Sequence, residues 1–304
     1  MGKVKGYDEA MRLTHERTFR VRHYECDAYG HVNNTNYLRY MQEAAFDASA
    51  AAGYDLARYA ALGHHWLVRE TEIEYLTPLR YGDSVRVKTW VEDFHRVRSR
   101  RAYQLYRVAD DEPAARGTTE WVYVDNQTGR PARIPTEMVT SFLPDGAPSF
   151  VPPTAARRHF PTQPAPPRGR FAMRRKVMWQ EIDAAGHVNN AQYLAYISDC
   201  GFEVAEAYGW PADRMQAAGF GILVRRHHIQ YLEPALLGDE LEVATWAYNL
   251  RRATASRAYT LTRPADGAQV ARADVFYVWV NLNSGLPARI PAEFMADFAA
   301  NIVG

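Results

Sequence analysis

The feature that most constrains this chain is that it states the same pattern twice, 156 residues apart. Asp27-Ala-Tyr-Gly-His-Val-Asn-Asn34, continued by Thr35-Asn-Tyr-Leu-Arg-Tyr-Met-Gln-Glu-Ala-Ala45, returns as Asp183-Ala-Ala-Gly-His-Val-Asn-Asn190 and Ala191-Gln-Tyr-Leu-Ala-Tyr-Ile-Ser-Asp-Cys-Gly201, with ten identities in nineteen positions. Tyr75, Pro78, Gly82, Trp90, Arg101 and Tyr103 reappear at the same offset as Tyr231, Pro234, Gly238, Trp246, Arg257 and Tyr259, and Pro131-Ala-Arg-Ile-Pro135 as Pro287-Ala-Arg-Ile-Pro291. Two copies, each large enough to bury a core of its own, are a duplicated domain rather than a solenoid. Whatever one copy folds into, the other must be able to fold into as well.

Each copy reads as one strand, one long helix and four further strands. Thr18 to Tyr24 alternates apolar and polar residues and predicts a strand. From about Asn34 to Ala52 the residues Tyr37, Leu38, Met41, Ala44, Ala45 and Ala48 recur at helical spacing, with Gly53 placed for a C-terminal cap. Such a helix would be roughly 28 Å long, and its alanines would let a curved sheet wrap closely around it. Strand character follows at 66–76, 84–95, 99–108 and 118–125, and again at 222–232, 240–250, 255–264 and 272–281. This order predicts an α+β fold in which an antiparallel sheet carries its helix on one face. The expected domains are 15–143 and 170–300. The segment 144–169 holds eight of the seventeen prolines and reads as a linker.

Composition narrows the function. A net charge of +1 gives no general attraction for nucleic acid or for a membrane surface, and no run of eighteen apolar residues occurs. The first ten residues lack the apolar core of a secretory signal, so the expected location is the cytoplasm. Cys26 and Cys200 stand at unrelated points of the repeat and suggest neither a disulfide nor a metal site; Cys26 reads as a small filler residue.

The repeated loop carries the chemistry. It offers a carboxylate, an imidazole and two amides immediately before a helix N-terminus, a combination suited to polarising a carbonyl and activating water. The same residues also have structural readings. Asp27 followed three residues later by glycine can form an Asx-turn, Asn33 or Asn34 can cap the helix, and His31 can serve as a brace. Asp-x-x-x-His without a further His or Cys cluster implies no metal. His64-His65 and His227-His228 occupy different repeat positions and read as surface or strand residues.

The pattern Asp27-x-x-Gly-His-Val-Asn-Asn-x-x-Tyr37, with its echo from Asp183 to Tyr193, resembles that of the hotdog-fold thioesterases, the group of 4-hydroxybenzoyl-CoA thioesterase, and of acyl-ACP thioesterases with two hotdog repeats per chain. The resemblance covers both repeats. It implies two tandem hotdog domains, each a curved sheet around a long helix, paired within one chain with acyl thioester sites at their junction. It implies Asp27 and Asp183 as the catalytic carboxylates, acting as general base or as nucleophile. The N–H groups near Asn34 and Asn190 would hold the thioester oxygen, and His31, His187, Asn33 and Asn189 would orient water or carbonyl. Glu43 and Asp199, with Tyr37 and Tyr193, would support them. No cofactor is implied, and a further homodimer is compatible with exposed sheet edges and faces.

The carrier is CoA or acyl carrier protein. The plant-type acyl-ACP branch carries a Cys shortly before its Gly-Asp-like turn, where this chain has Leu79-Arg80 and Leu236-Leu237, which leaves acyl-CoA ahead. Arg98, Arg100, Arg101 and Arg257 cluster around a strand turn, either as a solvated face or as a grip on CoA phosphates. A hotdog hydratase would carry Asp-x-Asn-Pro-x-His, a pattern the loops lack. A non-catalytic acyl-CoA-binding protein is the rival from another class.

Overall fold

The computed structural model describes residues 13–143 and 159–303. The chain divides into two compact units, the first built on residues up to Arg69 and from Leu76, the second on Glu70–Tyr75 and residues from His159. Most of the expected linker, 144–158, lies outside the described residues. The remainder, 159–169, runs without helix or strand along the second unit, where Gln163 donates to the Ala273 carbonyl at 2.7 Å.

In the first unit β1 (Thr14–Arg20), β2 (His64–Tyr75), β3 (Ser84–His95), β4 (Arg98–Arg107) and β5 (Glu112–Asp125) follow the order β1-β3-β4-β5-β2, and the long helix α1 covers Asn34–Ala51. Short helices α2 (Leu56–Leu62) and α3 (Thr136–Phe142) complete the unit. The second unit repeats this with β6 (Phe171–Lys176), α4 (Gln192–Ala207), α5 (Ala212–Ala217), β7 (Phe220–Tyr231), β8 (Glu240–Tyr248), β9 (Thr254–Arg263), β10 (Ala268–Asn281) and α6 (Ala292–Asp297), in the order β6-β8-β9-β10-β7. Pairing is antiparallel, with Arg17 opposite Val87 in one unit and Arg174 opposite Glu242 in the other. The second half of β2, Glu70–Tyr75, belongs to the second unit, where it pairs with β7, with Glu70 opposite Gln230.

The helices lie on the sheets through small and aromatic residues. Tyr37, Leu38, Tyr40, Met41, Ala44, Ala45 and Ala48 are the buried face of α1, packed towards β1 and β3. In α4 the approach is so close that a Cβ on Gly201, the counterpart of Ala45, would lie 3.3 Å from the Tyr259 hydroxyl. A large-to-small change such as Leu38→Ala in this layer would cost about 2–5 kcal/mol. At the far end of each long helix the short helices cover a second cluster, Tyr54, Tyr59, Ile134, Met138 and Phe142 in one unit and Trp210, Met215, Ile290, Phe294 and Phe298 in the other.

Three local expectations change. The first strand ends at Arg20, and His23–Glu25 forms a 3-10 turn, because the Glu25 carboxylate accepts the Arg22 N–H at 2.7 Å and closes the chain on itself. Strands β5 and β10 begin earlier than expected, at Glu112 and Ala268. His227 and His228 lie on a strand but are buried, not at the surface: His227 meets the Tyr75 hydroxyl at 3.0 Å and His228 meets Glu70 at 2.7 Å.

Burial holds the His227 imidazole down to about 3, so the fold favours its neutral form. That contribution is complete above its ordinary value of 6.5 and is lost as pH falls through the window from 6.5 towards 3. Burial pushes the Asp274 carboxyl up, which acts in the opposite sense. Urea unfolding followed from neutral pH to about pH 4 should therefore show falling stability, with a shallower fall in His227→Gln. Parallel curves for the two proteins would remove His227 as a source.

Candidate active site

The loop between the 3-10 turn and α1 is built by its own backbone. Asp27 and His31 face each other, the Asp27 N–H donating to the His31 carbonyl at 2.8 Å, while Gly30 N–H donates to the Asp27 carbonyl at 3.0 Å. The matching bonds in the second unit, Asp183 to His187 and Gly186 to Asp183, measure 3.1 and 3.0 Å. Gly30 and Gly186 sit at φ +74° and +83°, which explains the glycine in the motif. The loop is then pinned to the next segment by Val32 N–H on the Leu79 carbonyl and Val188 N–H on the Ala235 carbonyl, at 2.8 and 2.9 Å.

The two carboxylates are held differently. Asp27 is exposed, and its Oδ1 accepts the N–H groups of Tyr29 and His31 at 2.9 and 3.1 Å; among the described residues its Oδ2 receives no hydrogen bond. The Asx-turn is thus present and leaves one oxygen open. Asp183 accepts the Ala185 N–H on Oδ1 at 2.9 Å and the Asn189 side-chain amide on Oδ2 at 3.1 Å, with His187 Nδ1 4.0 Å from Oδ1. His187 Nε2 is buried without a partner among the described residues. His31 is held below its ordinary value by burial first and then by the positive Arg80, against the pull of Asp27, so the imidazole is neutral at neutral pH.

Asn33 is the N-cap of α1, its side chain accepting the Thr35 N–H at 3.0 Å, and Asn34 is the first helical residue. The Asn34 N–H therefore has no carbonyl to bond within its own helix. Asn189 accepts the Ala191 N–H in the same way at 3.0 Å, but α4 starts only at Gln192. Asn190 precedes that helix, and its carbonyl accepts the Tyr231 hydroxyl at 3.0 Å. Tyr37 and Tyr193 are buried, their hydroxyls accepting the backbone N–H of Leu79 and Ala235 at 3.3 Å, and burial pushes both up to about 12.

Other expected site residues stand elsewhere. Glu43 and Asp199 lie on the exposed flank of their helices, 54% and 58% exposed, paired with Arg17 at 3.8 Å and Arg175 at 3.1 Å. Helical spacing turns these positions away from the loop. Arg101 and Arg257 are buried under α3 and α6, where Arg101 meets the Thr89 hydroxyl at 3.4 Å and Arg257 meets Asn301 at 2.7 Å. Arg100 is paired with Glu92 at 2.8 Å. Only Arg98 of the four is largely exposed, and it pairs with Glu120 at 3.0 Å. Three of the four guanidiniums are thus committed inside the fold rather than presented to phosphates. The Cys26 thiol is pushed up by burial, and Cys26 bridges to Val32 where the second unit has Ile182, in keeping with a filler role.

The structure adds residues that sequence reasoning passed over. Glu25 and Glu181, 6% and 7% exposed, accept the hydroxyls of Tyr40 and Tyr196 at 2.6 and 2.7 Å. Both pairs are identical at the offset of 156, and that is the signal that could have found them. Beside the first loop Tyr24, Tyr29 and Tyr81 are exposed, and the His23 ring meets Tyr81 edge-on at 5.7 Å. Beside the second loop the exposed apolar residues are Met178, Trp179, Leu236 and Leu237. The described residues contain no cluster of three or more His, Cys, Asp or Glu arranged to hold a metal, and no helix long and apolar enough to cross a membrane.

A family model described as the thioesterase-like superfamily matches residues 21–142 and 177–298. The chain is 30% identical over 135 residues, 44% of its length and 70% of the other's, to the acyl-acyl carrier protein thioesterase ATL3 of Arabidopsis thaliana. It is 28% identical over 112 residues, 36% of its length and 82% of the other's, to the long-chain acyl-CoA thioesterase FadM of Escherichia coli. A solved 12:0-ACP thioesterase from Umbellularia californica shares the fold, with a TM-score of 0.68 at 19% identity over 87% of this chain and 94% of that one.

Because Arg101 and Arg257 serve the interior, Arg101→Lys and Arg257→Lys should lower the thermal midpoint while KM for a CoA thioester stays within about twofold. A raised KM in fully stable variants would return these arginines to the substrate.

Proposed function

As the chain belongs to the thioesterase-like superfamily, matched across both repeats, we propose that it hydrolyses an acyl-CoA thioester to the free acid and CoA. The observation that carries this reading is the duplicated loop, in which a carboxylate is fixed by backbone N–H groups a few residues before the start of a long helix. With Oδ1 of Asp27 engaged, Oδ2 is free to take a proton from water. The resulting hydroxide adds to the thioester carbon, and the charge arising on the carbonyl oxygen is met by the Asn34 N–H and the positive end of α1. Collapse of the tetrahedral intermediate breaks the C–S bond, and the thiolate leaves to take up a proton. Direct attack by the carboxylate, through a mixed anhydride that water then cleaves, uses the same atoms; incorporation of labelled oxygen into Asp27 or Asp183 would separate the two routes.

His31, neutral at working pH, is suited to orienting the water, and His187 with Asn189 would act similarly at Asp183. No step calls for a metal or a redox group. The double variant Asp27→Asn, Asp183→Asn should lose about 100-fold or more in kcat, the scale of a positioned general base, with each single variant losing the turnover of its own copy. Undiminished hydrolysis by the double variant would end this reading.

A second reading, the same reaction on acyl carrier protein, is favoured by the likeness to ATL3. Rates on one acyl chain presented on CoA and on the carrier protein decide between them.

A further inference from the structure

Each unit buries a carboxylate that the reaction does not use. Glu25 Oε2 accepts both the Arg22 N–H at 2.7 Å and the Tyr40 hydroxyl at 2.6 Å, while Oε1 meets the Arg22 guanidinium at 3.1 Å. Its backbone carbonyl accepts the Asn33 N–H at 2.9 Å and the Asn36 side-chain amide at 2.8 Å. In the second unit Glu181 Oε2 accepts the Met178 N–H at 2.8 Å and the Tyr196 hydroxyl at 2.7 Å, Oε1 meets Arg175, which takes the place of Arg22, at 2.6 Å, and the Glu181 backbone carbonyl accepts the Asn189 N–H at 2.9 Å. One residue therefore binds the chain entering the loop, the last residue of the loop, and the second turn of the helix.

Taking a carboxylate out of water is costly, and an apolar residue of similar size often serves stability as well or better. What an apolar side chain cannot do is join the chain entering the loop to the second turn of the helix by directed bonds, while the backbone carbonyl of the same residue holds the last residue of the loop. The seven residues between Glu25 and Asn33 carry Asp27 and His31, and Asn33 leads directly into the helix start.

We propose that Glu25 and Glu181 are positioning residues, each tying its aspartate loop to the helix N-terminus so that carboxylate and N–H groups keep one spacing. The kinetic part rests on the thioesterase reading. Displacements of about 1 Å can cost on the order of a hundredfold in rate, so small slack in this tie is kinetically visible.

The test is Tyr40→Phe with Tyr196→Phe, which keeps both rings and removes one bond to each carboxylate. Tyr59→Phe is the control: its hydroxyl meets Ser49 at 2.9 Å at the far end of α1, so it removes a buried tyrosine bond away from the loop. Using the acyl-CoA that the wild type turns over fastest, the double variant should lose roughly tenfold or more in kcat with KM within about twofold, whereas the control keeps kcat at a comparable fall in Tm. Hydrogen exchange provides a readout free of activity. The Asn33 and Asn189 amides should exchange faster in Tyr40→Phe, Tyr196→Phe than in wild type, and at the wild-type rate in Tyr59→Phe. Equal kcat in the double variant and the control, or unchanged exchange at both asparagines, would overturn the proposal. Should the wild type cleave no thioester, the functional reading fails separately, and the exchange comparison alone decides whether the tie sets the loop.

Discussion

Everything in each unit depends on how closely the long helix can approach its sheet. Ala44 and Ala48 on α1, and Gly201 on α4 with the Tyr259 hydroxyl 3.3 Å from where its Cβ would be, leave little between backbone and strands. That distance fixes the helix axis, and the axis fixes where the first turn ends. Because the entering strand, the 3-10 turn and the loop hang from the sheet, a closely held helix is what brings its N-terminus to them. The chemistry of the loop follows from packing at some remove from it.

The loops illustrate how one backbone can present the same residues in two electrostatic settings. The bonds that shape them match almost one for one, yet Asp27 keeps an oxygen open while Asp183 is held by Asn189, and α4 begins two residues later than the position matching the start of α1. The Tyr231 hydroxyl on the Asn190 carbonyl accompanies that later start. Two loops of common design thus differ in the bonds that identical residues make around a matching frame.

Much of this was legible in the sequence, and for identifiable reasons. The duplication, the α+β order and the long helix follow from periodicity and offset, which are local and repeated. Charge was less readable. Arg98 to Arg101 look alike on paper, but in β4 Arg98 is exposed while Arg101 is buried against Thr89, a distinction that strand parity and the cover of α3 impose. The position of Glu43 and Asp199 along a helix can be read from the sequence, whereas which flank they occupy is set by rotation about its axis. His227 and His228 could not be recognised as buried, since their partners Tyr75 and Glu70 lie about 150 residues earlier in the chain. The short helices α2, α3, α5 and α6, six or seven residues each, offer too little periodicity to detect.

The duplication is also a freedom. A protein that repeats a domain by pairing identical chains must accept every substitution in both copies at once. Here each copy is encoded separately, so the surroundings of one loop can change while the other stays as it was. The record of that freedom is on the surface: His23, Tyr29 and Tyr81 around the first loop answer to Trp179, Ala185 and Leu237 around the second. A single polypeptide of this kind can keep one loop for a duty that has not changed and let the other drift towards a different neighbour, without losing the frame that both inherited.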